Sequence, residues 1–346
     1  MLIKFIKTFY NKQMKNGHFY LIFSLFINFQ STLFAQNIDT IPHISNQEIE
    51  VVPSQTYQFS NGSSRTYDKP KWLDMIKRLP KDFMSTNKDF IANDHGWYLG
   101  GAIVSTALLV PVDQKITDNS RQFASSVGLS AANIYGKFGP LENIPQNIGA
   151  GFYLVGNGTT VILLSAGFAT FGLLKDDFRA KATASGLIES LALSGLYVQT
   201  IKRITGRESP FRARDNGNSG GDWNPFPSFT AYANNTPSYD AIPSGHLTTI
   251  MAGLTIIAIN YPDYKWIKPV GYTLITAMCF QMLQSEVHWV SDYPIAILIG
   301  YIVGKNIAKN RFKETPKQGQ KENKPHYNFS ASRQYGFNQI GVSIKF

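Results

Sequence analysis

The sequence predicts an all-α fold, a bundle of six helices embedded in a membrane, with a short β-like tail at the C-terminus. Three observations predict it. Apolar stretches recur at roughly 98–112, 150–174, 183–201, 247–261, 267–283 and 293–308, each long enough for a helix and most without the alternation of strands. Charged residues are 16% of the 346, well below the ~25% of an average soluble chain, beside 43% hydrophobic residues. The single cysteine, Cys279, lies inside an apolar stretch, so neither a disulfide framework nor a cysteine zinc site competes with packing as the source of stability.

The elements follow in order. Residues 1–35 read as a secretory signal peptide: Lys4, Lys7, Lys12 and Lys15 without an acid, then an apolar run over 19–35. The Leu33-x-Ala35 ending only partly fits a small-x-small cleavage site, and an uncleaved anchor is the alternative. Residues 36–96 read as a polar exported lead, extended or partly disordered, with the Ser/Asn/Gly-rich SNGSSR at 60–65 and a short helix expected near Trp72–Leu79. Residues 97–308 are the helical domain. Only 150–174 meets the ~20 apolar residues of a membrane span. The other stretches are shorter or broken by Ser, Thr, Gly or Glu189, so an exported soluble domain is the competing expectation.

A cleaved signal would start residue 36 outside, and the Lys-rich segment after Lys305 favours an inside C-terminus. The two agree only for an odd number of spans. Residues 309–346 are a basic linker and tail, in which Ile340, Val342, Ile344 and Phe346 alternate as a strand does, suggesting a hairpin. The net charge of +10 suits either a solvated tail or attraction to anionic lipid or phosphate. No nucleic-acid partner is expected, because the basic residues lack interleaved aromatics and no such motif occurs.

Three clusters carry chemistry. The first, Lys202 to Pro210, closes the third apolar stretch; Lys202 and Arg207 together could hold a phosphate dianion, Arg bidentately and Lys as a point charge. The second, Pro243-Ser244-Gly245-His246, opens the fourth. Helix-start N–H groups bind phosphate, Gly245 permits close backbone approach, Ser244 adds a hydroxyl, and His246 falls within reach of a leaving oxygen. The third is His288 with Asp292 four residues on, a spacing that lets a carboxylate fix one ring nitrogen and aim the other as nucleophile or base. Singly, each has an ordinary explanation: a basic helix end, an N-cap, a surface pair. Jointly they form a complete phosphoryl-transfer set. No acidic metal cluster is visible, so a metal-independent mechanism without a cofactor is expected.

At these residues the chain resembles the type 2 phosphatidic acid phosphatase superfamily, which includes bacterial acid phosphatases and vanadium haloperoxidases. The family pattern is Lys-x6-Arg-Pro, Pro-Ser-Gly-His and Ser-Arg-x5-His-x3-Asp. Lys202, Pro210, Ser244, Gly245, His246, His288 and Asp292 match it. The resemblance implies a helical bundle, a phosphohistidine on His288, protonation of the leaving group by His246, and orientation of His288 by Asp292. Two positions depart: Ser209 and Met282 stand where the family has phosphate-binding arginines. Arg207 is the expected substitute for the first, with Arg212 and Arg214 further candidates. The segment 211–242, with Trp223, Phe226, Phe229, Tyr232 and Tyr239, reads as a lid or as an ordinary surface loop. The implied function is a phosphatase for a lipid phosphate or lipid diphosphate, in the membrane of a bacterial-type cell envelope with its site facing the periplasm. A soluble periplasmic acid phosphatase, a non-catalytic phosphate- or lipid-binding relative and, more weakly, a haloperoxidase are the alternatives.

Overall fold

The structure, a computed structural model, describes residues 52–71, 73–91, 96–138, 141–316, 326–334 and 337–345. The expected signal peptide and the first part of the lead lie outside the described residues. Along the chain run β1 (Ser54–Gln58), β2 (Ser64–Asp68), α1 (Leu79–Ile91), α2 (Gly96–Leu109), α3 (Asp113–Ser126), β3 (Tyr135–Phe138), β4 (Leu141–Pro145), α4 (Ile148–Val155) and α5 (Gly158–Leu174). They are followed by α6 (Phe178–Thr205), α7 (Pro210–Asn216), α8 (Phe229–Asn234), α9 (Gly245–Asn260), α10 (Ile267–Gln284), α11 (Tyr293–Lys309), β5 (Lys313–Thr315), β6 (His326–Gln334) and β7 (Phe337–Lys345).

All six apolar stretches fold as helices, but six is not the tally the chain adopts. The stretch 150–174 is two helices, α4 and α5, bent by 67° at the Gly156–Asn157 break. Asn157 starts the second by accepting the Thr159 amide at 3.1 Å. Polar α3, with the sequence DQKITDNSRQFASS, continues α2 through a turn containing Pro111 and carries no apolar signal of its own. Helix α6 runs 28 residues. Asp177 opens it by accepting the Ala180 amide at 2.7 Å. It ends at Gly206, in the left-handed region at φ +54, where a Cβ would lie 1.8 Å from the Asn224 carbonyl oxygen.

The buried core lies around α9. Leu247, Met251 and Leu254 of α9 pack with Ile275, Met278 and Met282 of α10 and with Ala296 of α11. On the other side Ala252 and Ile256 meet Leu187 and Leu193 of α6, Val161 of α5, and Ile299 and Val303 of α11. Helices α9 and α11 touch through glycine: a Cβ on Gly300 or Gly304 would come within 2.5 Å of the Thr248 or Ala252 carbonyl. At ~1.5 Å per residue, α9 holds its two ends about 24 Å apart.

The end of the bundle at Asn260 is closed by the lead segment, which is ordered over the described part. β1 and β2 form an antiparallel hairpin, with 59–63 at its turn, and β2 pairs with β5. Tyr67 donates to Asn260 Oδ1 at 2.9 Å, and Asn260 Nδ2 donates to Thr183 Oγ1 at 3.0 Å. Beside them Arg311, buried, is paired with Asp82 of α1 and Glu189 of α6, both fully enclosed. The expected C-terminal hairpin forms between β6 and β7, with Tyr327 opposite Ile344.

Among the described residues one helical run, Gly96–Ser126, is long and apolar enough to cross a membrane, and the bent pair α4–α5 is a second if it counts as one span. Ile103, Val104 and Leu108 of α2 are exposed, as an outward apolar face requires. The remaining bundle helices do not pass that test, so the odd-span argument has no count to rest on.

Candidate active site

Three helix ends meet at the pole of the bundle opposite Asn260: the C-terminus of α6, the N-terminus of α9 and the turn entering α11. They bring the three sequence clusters together. Lys202 lies on the last turn of α6, Ser244 caps α9, and Asp292 precedes α11. A cavity of about 270 Å³ opens there, lined by Lys202, Gln199, Gly245, His246 and Thr249 with Gly156 and Gly158.

His288 is nearly enclosed, with 4% of its surface exposed. Its Nδ1 lies 2.8 Å from the Ala241 carbonyl oxygen and 3.4 Å from Asp292 Oδ2. A carbonyl oxygen only accepts, so Nδ1 carries the hydrogen and Nε2 carries the lone pair. The ring of His246 faces it with centroids 6.2 Å apart, and Tyr153 of α4 packs on the other side of His246 at 4.6 Å. Burial, and after it the electrostatic influence of His288 and Lys202, push His246 down to about 3.

Asp292 does two jobs. Oδ2 accepts the Trp289 amide at 2.8 Å, closing the turn that carries His288, and Oδ1 accepts from Arg207 at 2.8 Å. The nearer support of His288 is the Ala241 carbonyl, where the sequence pattern put Asp292 alone.

Arg207 differs from its expected place. It is wholly buried, and its guanidinium donates to Asp292, to Ser291 Oγ at 2.6 Å and to Asp113 Oδ2 at 2.6 Å. Trp223 and Trp289 cover its faces at 4.9 and 5.2 Å. It braces the far side of Asp292 and does not line the cavity. The other candidate cations also point elsewhere: Arg212 toward Ser238 Oγ at 3.4 Å, and Arg214 to Glu286 and Asp215.

Ser244 is fully buried; its hydroxyl accepts the Leu247 amide at 3.4 Å and sits 3.8 Å from Met282 Sδ. The amides of Gly245 and His246 are those a helix start leaves without an intrahelical carbonyl. Met282 therefore faces the helix start from α10, an enclosed thioether where the family pattern has a guanidinium. Ser209 is buried at the start of α7, and its hydroxyl has no hydrogen-bond partner among the described residues. Lys202 Nζ is 3.2 Å from Asp240 Oδ2.

Residues 183–316 match the PAP2 superfamily. That match runs from α6 through β5 and contains all three clusters, so the resemblance read from the motifs is borne out for this part of the chain. Members of the PAP2 superfamily are generally phosphatases, acting on phosphate esters. Neither the curated proteins nor the solved structures contain a match to the chain.

Sequence reasoning missed Asp113, the Ala241 carbonyl and Asp240. Asp113 had a faint signal, a carboxylate closing an apolar run. A backbone carbonyl has none. Asp240, three residues before the Pro-Ser-Gly-His motif, fits no pattern that would mark it.

Proposed function

We propose that the protein is a phosphatase that removes the terminal phosphate of a lipid phosphate or lipid diphosphate through a phosphohistidine on His288, with no metal step. One observation carries the reading: the Ala241 carbonyl fixes the Nδ1–H tautomer of His288, leaving Nε2 nucleophilic beside His246, which lines the cavity together with Lys202. Nε2 attacks phosphorus, and the ester P–O bond breaks as the N–P bond forms. His246 gives its proton to the leaving oxygen. Water then takes the phosphoryl group from His288, returning it as inorganic phosphate. The neutral His246 that burial imposes fits this only once phosphate is near, because the substrate's negative charge opposes the effect of Lys202 and raises its proton affinity.

A lipid substrate is supported by the surface next to the cavity. Gly158, which lines the cavity, begins α5. Down that helix Thr160, Leu164, Phe168 and Phe171 line, with Tyr261, an apolar groove of about 550 Å³. The helical run Gly96–Ser126 supports seating in a membrane, and we place the site on the periplasmic face of a bacterial-type envelope.

The test is phosphate release by purified protein without added metal, from phosphatidic acid, an isoprenyl diphosphate, lipid A and p-nitrophenyl phosphate. Activity on lipids that vanishes in His288→Ala is the expected result. Activity confined to p-nitrophenyl phosphate moves the protein to the soluble acid phosphatase reading. No release from folded protein supports the non-catalytic reading, which the uncharged Ser209 and Met282 motivate.

A further inference from the structure

The cavity has a single lining cation, Lys202, among the described residues, and that cation is already engaged by a carboxylate. Arg207, Arg212 and Arg214 are turned to other partners, and positions 209 and 282 are uncharged. Lys202 and Asp240 together bring the local charge close to zero. Asp240 is also firmly placed. Its backbone pairs with that of Arg207 in an isolated bridge. The next residue, Ala241, donates its amide to the Arg207 carbonyl at 3.0 Å and gives its own carbonyl to His288. The carboxylate is partly exposed, at 28%, while Lys202, which lines the cavity, is nearly enclosed, at 8%.

We propose that Asp240 is a specificity-determining residue, which competes for Lys202 and lowers the cavity's affinity for dianions more than for phosphoryl groups carrying one negative charge. This rests on the reading of the cavity as the phosphate site. The physical ground is Coulombic. An anion bound at Lys202 lies several ångströms from the Asp240 carboxylate, and the repulsion doubles when the anion's charge goes from one to two. At ~7 Å and an effective dielectric of ~20, the repulsion between two unit charges corresponds to roughly fiftyfold in affinity, less where water screens it. The substrate class so favoured is a phosphate ester arriving singly protonated, or one whose second charge is matched by a cation on the same molecule.

The test uses two tetrahedral anions whose charge does not change near neutral pH: sulfate, with two charges, and methanesulfonate, with one. Their affinities for the intact protein are measured by calorimetry, which needs no turnover, so the result stands apart from the phosphatase assay. Asp240→Asn keeps a hydrogen-bonding side chain beside Lys202 and removes the charge. The expected result is a gain of about tenfold or more for sulfate and a smaller gain for methanesulfonate. Asp240→Glu should retain the wild-type ratio, and Lys202→Met should lose both anions. The proposal is overturned if folded Asp240→Asn binds sulfate no better than the wild type, including the case in which neither binds it, or if both anions gain equally. The latter would make Asp240 a competitor for Lys202 that does not discriminate by charge.

Discussion

Arg207 and Asp292 form a 2.8 Å ion pair in which neither side chain is exposed, and Asp113 holds the other terminal nitrogen of the same guanidinium. The pair joins the loop after α6 to the turn carrying His288, two segments separated by 85 positions in the chain. Two carboxylates around one guanidinium in a dry setting are costly to disturb, because removing the cation leaves both charges buried without compensation.

Arg207→Ala should therefore lower stability by about 3–5 kcal/mol, read as a shift of the denaturation midpoint. Arg207→Lys should recover only part of it, since an ammonium cannot serve Asp113, Ser291 and Asp292 in one plane. A variant stable enough to assay should lose phosphate release through kcat, with KM changed less, because the side chain positions the His288 turn without lining the cavity. A rise in KM alone would restore Arg207 to the phosphate.

His246 gives the acid limb of stability. Its folded value, about 3, lies below the ~6.5 of the unfolded chain. Between these values the unfolded chain holds a proton that the folded site refuses, so stability rises with pH through that window and is complete above it. The slope from this group should reach at most about 1.4 kcal/mol per pH unit. His246→Gln should flatten the dependence of the melting midpoint between pH 3 and 6.5 and leave it alike above pH 7. Equal slopes in the two proteins would show that His246 takes its proton freely when folded.

Met282→Arg tests whether the family's missing cation can simply be put back. Met282 is fully enclosed among Leu247, Met278 and Leu283, although its sulfur touches the helix start at Ser244. An arginine there has to force its stem through packed core before its head meets the cavity. The single substitution should destabilise the protein by a few kcal/mol and yield less activity than the wild type. A stable variant with tighter phosphate binding would mean that the core at α9–α10 yields more readily than its packing suggests.

Much of this was legible in the chain. The six apolar stretches mark helices because burial on several sides requires apolar residues at nearly every turn, and that composition survives in one dimension. Lys202, Ser244, Gly245, His246, His288 and Asp292 could be named because phosphoryl chemistry restricts residue types and their spacing. Polar α3 could not be seen, since half its surface faces water and its apolar residues are few. Nor could the β1–β2–β5 sheet, whose short strands pair over 240 positions of chain.

What the sequence by itself determined is the helical class and the three motif clusters that the fold brings to one end of the bundle, both set by local composition and motif. Tertiary structure decided which cation does what. Arg207 and Lys202 sit five residues apart and look equivalent in sequence, yet Gly206 turns the chain between them in a left-handed conformation. One head then reaches the cavity beside Asp240, and the other is buried between Asp113 and Asp292. A charge's role depends on the carboxylates that surround it in space, and those come from positions 113, 240 and 292, which no local pattern connects.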